Sequence, residues 1–311
     1  MQSHPSRNED EVTDDRHKSA HPGEPYDNAI PGQMDNDTAG PKGYQPPGGA
    51  AGAMKTQQKT AAELGSGGSA VDLPNVAGVQ SASSLKVVLV DVDGTLVDSN
   101  DGHARAWVRA LSAHGYSCEF DAIRPMIGKG GDKVLLELAG LDEESAQAKA
   151  ILNTRKATFA REELPHIIAT PGAAKLLSAL RAAGLKVVVA TSAAGDESRA
   201  ILEQAGLENL FDSQATSSDA QDSKPDPDII HAALRKAGVV PSEVVMLGDT
   251  PYDIAAAMKA GVPCVALRCG GWWNNADLAG AAGIFSDPAE LLAHVDQSLI
   301  GPALRAAGSS A

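Results

Sequence analysis

Four short runs of aliphatic and β-branched residues do most to limit what this chain can fold into. They are Leu85-Lys86-Val87-Val88-Leu89-Val90 and residues 185–190, 244–247 and 262–267. Each is too short for a helix and too uniformly apolar for a strand with one wet face, so each reads as a strand buried on both sides of a parallel sheet. Segments with helical spacing of apolar residues separate them. Residues 171–180 form one, stopping near Gly184, and residues 228–237 and 254–260 form two more. Strand–helix alternation of this kind implies a doubly wound, Rossmann-like α/β core with helices on both faces. In such a sheet the binding crevice lies beyond the carboxyl ends of the strands.

One connection breaks the rhythm. Roughly 75 residues lie between the first strand and the helix at Pro171, with helical patterns at 104–114, 132–139 and 143–161 and no strand, far beyond the usual αβ spacing of about 2–6 residues. The expected organisation is a core from 85–100 and 167–300 with an inserted α-helical cap at 101–166. Residues 301–311 are expected to form a short C-terminal tail.

Residues 1–84 hold 8 of the 18 prolines and almost no apolar periodicity. Such a segment cannot bury enough surface to offset its ordering entropy and reads as a disordered tail. Elsewhere the balance is globular, with 43% hydrophobic and 21% charged residues. The net charge of −14 argues against nucleic-acid binding, which needs clustered Lys and Arg. No apolar run approaches the ~18 residues of a membrane span, and the polar, acidic start is unlike a secretory signal, so the cytoplasm is the expected location. Cys118, Cys264 and Cys269 form neither a metal-ligand spacing nor an even disulfide set.

The chemistry is concentrated where the strands stop. Asp91-Val92-Asp93-Gly94-Thr95-Leu96-Val97-Asp98-Ser99 follows the first run, and Gly248-Asp249-Thr250-Pro251-Tyr252-Asp253 follows the third. Taken singly, each aspartate suits a helix N-cap. Two acidic clusters at the ends of two parallel strands suit something else, a shared hard cation with oxygen ligands. Thr191 follows the second run and offers a hydroxyl, with Ser192 beside it. Lys224 sits in the proline-stiffened loop Ser223-Lys224-Pro225-Asp226-Pro227, a setting for a fixed positive charge.

In order, Asp-x-Asp-Gly-Thr-Leu-x-Asp-Ser, the strand-end Thr, Lys-Pro-x-Pro-Asp and Gly-Asp-Thr-Pro-x-Asp resemble the four motifs of the haloacid dehalogenase (HAD) superfamily. The branch they look most like is the phosphoglycolate phosphatase-like and β-phosphoglucomutase-like one, over residues 85–295. The resemblance implies a phosphatase of small phosphate esters. It implies Asp91 as the nucleophile that forms an aspartyl-phosphate, and Asp93 as general acid and base. It implies magnesium (Mg2+) held by the Asp91 carboxylate, the Asp93 backbone carbonyl and Asp249, supported by Asp253. Thr191, Ser192 and Lys224 would hold the phosphoryl group. The second aspartate of the first motif favours phosphate esters over carbon–halogen bonds.

The insertion opens with His103-Ala104-Arg105-Ala106-Trp107 and contains Ile127-Gly128-Lys129-Gly130-Gly131-Asp132. By the same resemblance, His103 and Lys129 become candidate substrate-binding residues. His103 also keeps open a β-phosphoglucomutase-like phosphomutase. A catalytically silent binding module would show degenerate motifs, and these are intact. The partner expected is a small-molecule phosphate ester; oligomeric state is not legible.

Overall fold

The computed structural model describes residues 85–308; the tail expected at 1–84 lies outside the described residues, as do 309–311. Six strands form one parallel sheet in the order β3-β2-β1-β4-β5-β6. They are β1 (Val87–Val90), β2 (Lys186–Ala190), β3 (Ser213–Ala215), β4 (Val244–Gly248), β5 (Cys264–Leu267) and β6 (Gly283–Phe285). β1 lies centrally, with Val90 paired to Val189 on one side and Leu247 on the other.

Alternate residues of each strand feed opposite layers, as a pleated sheet requires. Val88, Val90, Val187, Val189, Val245 and Leu247 face one apolar cluster; Val87, Leu89, Val188, Ala190, Val244 and Met246 face the other. Both layers are closed by helices, which is why these strands carry no polar face. The doubly wound core expected from the four runs is therefore present. β3 and β6 were not legible: at three residues each, with partly exposed positions, they lack an apolar run.

Among the described residues ten α-helices accompany the sheet: α1 (Asn100–Ala113), α2 (Phe120–Ile123), α3 (Gly131–Ala139), α4 (Ala146–Thr158), α5 (Ala173–Ala182), α6 (Gly195–Gln204), α7 (Asp228–Ala237), α8 (Pro251–Lys259), α9 (Pro288–Ala293) and α10 (Gly301–Gly308). Leucines and isoleucines of α5, α6 and α9 cover one face of the sheet, and those of α7 and α8 cover the other. Residues 301–308, expected as tail, are α10, whose Ala303 and Leu304 pack against the first cluster. Their small size hid an apolar stripe only two residues wide.

α1 to α4 form the insertion between β1 and β2, and they share a third apolar cluster built on Trp107, Leu111, Val134, Leu135, Ala148 and Ile151. A separate core means that this unit is held together by its own packing. Truncating Ile151, which is fully buried, to Ala should lower unfolding stability by about 2–5 kcal/mol. Urea denaturation would measure this; an unchanged midpoint would mean that α1 and α4 are not packed through it.

Candidate active site

The strand order reverses between β1 and β4: the chain leaves β1 toward β2 and later leaves β4 toward β5. That split opens a crevice at the carboxyl ends of both strands. Asp91 is the first residue beyond β1, its N–H donating to the Leu247 carbonyl at 2.9 Å. Asp249 is the first residue beyond β4. Both are buried, and with Asp253 their carboxylate oxygens lie within 4.8 Å of one another.

Two glycines make this crowding possible. Gly94 turns the chain at φ +80°, and a Cβ there would stand 2.2 Å from Asp249 Oδ2. A Cβ on Gly270, in the loop after β5, would stand 1.8 Å from the same oxygen. Only bare backbone fits around Asp249. Its two oxygens accept from Asn100 Nδ2 at 2.9 Å and Thr95 Oγ1 at 3.2 Å.

Among the described residues one cation faces this cluster. Lys224 Nζ lies 2.5 Å from Asp91 Oδ1 and 2.7 Å from Asp253 Oδ1, and donates to the Ala190 carbonyl at 2.8 Å. It is 1% exposed, so its charge is directed wholly at the crevice. Burial would lower its pKa, but Asp253 and Asp91 outweigh that and hold it above the usual lysine value.

Fully ionised, three carboxylates against one ammonium would leave two negative charges in a buried pocket. Burial, opposed by Lys224 and reinforced by Asp253 and Asp93, pushes Asp91 up to about 7. Burial first, then Asp253 and Asp91, drives Asp249 well above the carboxylate range. An all-oxygen donor set with this excess charge fits a divalent hard cation.

The capping alternative separates these residues. Ser145, Thr250 and Asp287 cap helices through their side chains; Asp91, Asp93, Asp249 and Thr191 do not stand at N-cap positions. Asp253 does serve a cap, as the third residue of α8 in a reciprocal box with Thr250. It therefore braces Lys224 and the helix start together.

Asp93 points elsewhere. Its Oδ1 accepts from Ser99 Oγ at 2.5 Å and from His103 Nε2 at 2.7 Å. His103 Nδ1 in turn lies 2.6 Å from Arg155 Nη2. A guanidinium only donates, so Nδ1 accepts and the ring proton sits on Nε2, aimed at Asp93. The imidazole stacks on Phe159 at 4.0 Å, where a π turn follows α4. Burial opposes ionisation of Asp93, but His103, Ser99 and Arg155 outweigh it, and its carboxyl titrates below the usual value.

A cleft of about 320 Å³ joins these groups, lined by Asp91, Asp93, His103, Thr191, Ser192 and Lys129 among others. Thr191 is buried at the end of β2, its Oγ1 accepting from Ala193 N. Ser192 Oγ donates to the Gly128 carbonyl of the insertion at 3.4 Å. Lys129 lines the cleft but pairs with Glu137 at 2.7 Å and lies over the Tyr252 ring. His103 is occupied by Asp93 and Arg155. Asp91, Asp249, Asp253 and Lys224 thus lie together, Thr191 lines the same cleft as Asp91, and His103 bonds to Asp93.

Asn100, Gly270, Arg155 and Glu197 escaped the sequence reading. Arg155 bonds both oxygens of Glu197, at 2.8 and 2.5 Å, and on a polar helix it looks like any solvated arginine. Asn100 directly follows the first motif, the one signal available for it. Trp272 and Trp273 do not line the cleft; Trp273 packs edge-on to Tyr252.

The family described as haloacid dehalogenase-like hydrolase matches residues 88–267. The chain belongs to that family. A phosphoglycolate phosphatase of Rhodospirillum rubrum is 32% identical over 214 residues, 66% of this chain and 89% of the relative. A hydrolase from Pseudomonas syringae superposes with a TM-score of 0.63 at 33% identity, over 68% of this chain and 98% of its own. CbbY from Rhodobacter sphaeroides, solved in complex with phosphate, gives 0.58 at 26% identity, over 68% and 99%. Within this haloacid dehalogenase-like frame the acidic pocket sits inside the matched span. No described helix is long and apolar enough to cross a membrane.

The raised Asp91 generates a signed pH effect. Between about pH 4 and pH 7 the folded, ion-free protein keeps a proton that the unfolded chain has released, so this group's stabilisation declines as pH rises across that window. In chelator, the stability of wild type relative to Asp91→Asn should therefore fall from pH 4 to pH 7. Parallel urea midpoints for the two proteins would show it; a constant difference would contradict the shift.

Proposed function

We propose that this chain is a magnesium-dependent phosphatase of small phosphorylated metabolites, sugar or organic-acid monoesters, working through an aspartyl-phosphate on Asp91. The observation that carries the reading is the buried excess of negative charge around Lys224. A phosphate ester brings more negative charge to the same place, and only a bound cation makes that tolerable.

Asp91 and Asp249 would hold the ion, with Asp253 behind them and the Asp93 carbonyl as a further ligand. When bound, magnesium would neutralise charge on the phosphoryl oxygens and orient them. Lys224 and Thr191 position that group from the protein side, and Ser192 flanks it. Asp91 attacks phosphorus, and the bond to the leaving oxygen breaks as Asp93 delivers a proton to it. Asp93, ionised again, takes a proton from water, which displaces the phosphoryl group and frees Asp91. Ser99 and His103 both donate to Oδ1, leaving Asp93 Oδ2 to carry the proton.

The helical insertion acts as a cap in this reading. Ser223 contacts it twice, Gly130 N at 3.2 Å and Asp132 Oδ1 at 2.7 Å. Arg155–Glu197 and Lys133–Asp226 also cross the junction. Polar contacts of this kind exclude water when made and exchange readily with solvent when broken, as a closing cap requires.

The His103–Asp93 contact favours a phosphomutase as second reading. Purified protein that interconverts sugar monophosphates without net phosphate release would support it.

Incubation of the full chain with Mg2+ and a panel of phosphorylated metabolites tests the proposal. Inorganic phosphate should appear, and Asp91→Asn should reduce its release by roughly 10³-fold or more. Undiminished turnover would remove Asp91 as nucleophile. Mg2+ at a hundredfold excess over its Kd should also stabilise the wild type by about 2.7 kcal/mol, and Asp249→Asn should lose that increment. Equal stabilisation of both proteins would place the ion elsewhere.

A further inference from the structure

The wall that the insertion contributes to the cleft carries three cations, Lys129, Arg155 and Lys156. Each of them is already paired with a carboxylate. Lys129 pairs with Glu137 at 2.7 Å, Arg155 with both oxygens of Glu197, and Lys156 with Asp196 at 2.5 Å. Two carboxylates on the same wall, Asp132 and Glu143, have no cation partner among the described residues. Asp132 accepts only a hydroxyl, from Ser223, and Lys133 beside it is engaged by Asp226.

The potential at this wall is therefore negative. Partial burial, then Asp132, Glu144, Asp142 and Asp222, holds the Glu143 carboxyl above its usual value. An incoming carboxylate or second phosphate would have to break an existing ion pair to find a partner, while meeting like charge from Asp132 and Glu143. Hydroxyl and ammonium groups meet the opposite situation. Both carboxylates accept from them. Trp107 and Leu152 on the same wall supply apolar surface for a carbon skeleton.

We propose that the cleft selects monophosphates whose leaving group is hydroxylated and free of negative charge, neutral or amine-bearing, with Asp132 and Glu143 as the residues that discriminate. This rests on the phosphatase reading and narrows it. A carboxylate-bearing leaving group such as glycolate is disfavoured, in contrast to the compound named for the Rhodospirillum rubrum relative.

Three six-carbon phosphates of matched skeleton isolate charge: glucose 6-phosphate, glucosamine 6-phosphate and 6-phosphogluconate. They are compared with the full chain in Mg2+, as substrates and as competitors of p-nitrophenyl phosphate, whose turnover reports the nucleophile alone. The neutral and amine-bearing compounds should exceed 6-phosphogluconate by about tenfold or more in kcat/KM, or fall below it by as much in inhibition constant. Glu143→Lys, a change at an exposed position, should shift the ratio toward 6-phosphogluconate by severalfold. A ratio near one, a preference for 6-phosphogluconate, or an unmoved ratio in Glu143→Lys would overturn the inference while leaving the phosphatase reading intact. Absence of p-nitrophenyl phosphate turnover would overturn both.

Discussion

Everything at the carboxyl end of this sheet is arranged around uncompensated charge. Asp91, Asp249 and Asp253 are buried together with one ammonium, Lys224. Isolated carboxylates are not kept in such a setting without a partner, because desolvation costs more than packing returns. The fold supplies what partners it can: Thr95, Asn100 and Thr250 donate hydrogen bonds, and Lys224 donates a charge. Burial and like charge hold protons on Asp91 and Asp249, and in the proposed reading an ion takes their place. The net charge of −14 is no obstacle to the proposed phosphate binding, since a divalent ion would cancel the two local negative charges.

The parallel sheet is what allows this concentration. Four parallel strands starting at one edge end at the other, so residues far apart in the chain arrive at one rim without any long-range design beyond strand length. β1 and β4 are adjacent and in register, which places Asp91 and Asp249 side by side. Glycine at 94 and 270 then lets backbone close around Asp249 where any side chain would collide. The helical insertion adds a second set of groups from the opposite side. His103 and Arg155, on different helices, reach Asp93 in series, and Glu197 on the core anchors the series. Asp93 is thereby coupled to the position of the insertion.

What could be read from sequence follows from what is local. β1, β2, β4 and β5 were legible because burial on both faces writes itself as an unbroken apolar run. β3 and β6 were not, being edge strands of three residues each with partly exposed positions. The helices of the insertion were legible by periodicity, their contacts were not. Asp91, Asp93 and Asp249 stood out because acidic residues at the ends of buried strands have no packing reason to be there, and Lys224 because prolines stiffen its loop. Arg155 and Glu197 lie on amphipathic helices where charge is ordinary, and Gly270 in a glycine-rich loop; nothing local distinguishes them. His103 was legible as a candidate, but its partner was not, since the proton-bearing nitrogen depends on Arg155, 52 positions away. The α10 helix was mistaken for tail because alanine-rich turns pack with little apolar surface.

A crystal grown with Mn2+ in place of Mg2+ would test the charge argument most directly through its anomalous signal. The account requires one peak within about 2.0–2.3 Å of an Asp91 oxygen and an Asp249 oxygen, with Lys224 still buried beside Asp91. A protein that crystallises in millimolar Mn2+ with no peak at that rim, or with the ion bound at other carboxylates, would contradict it.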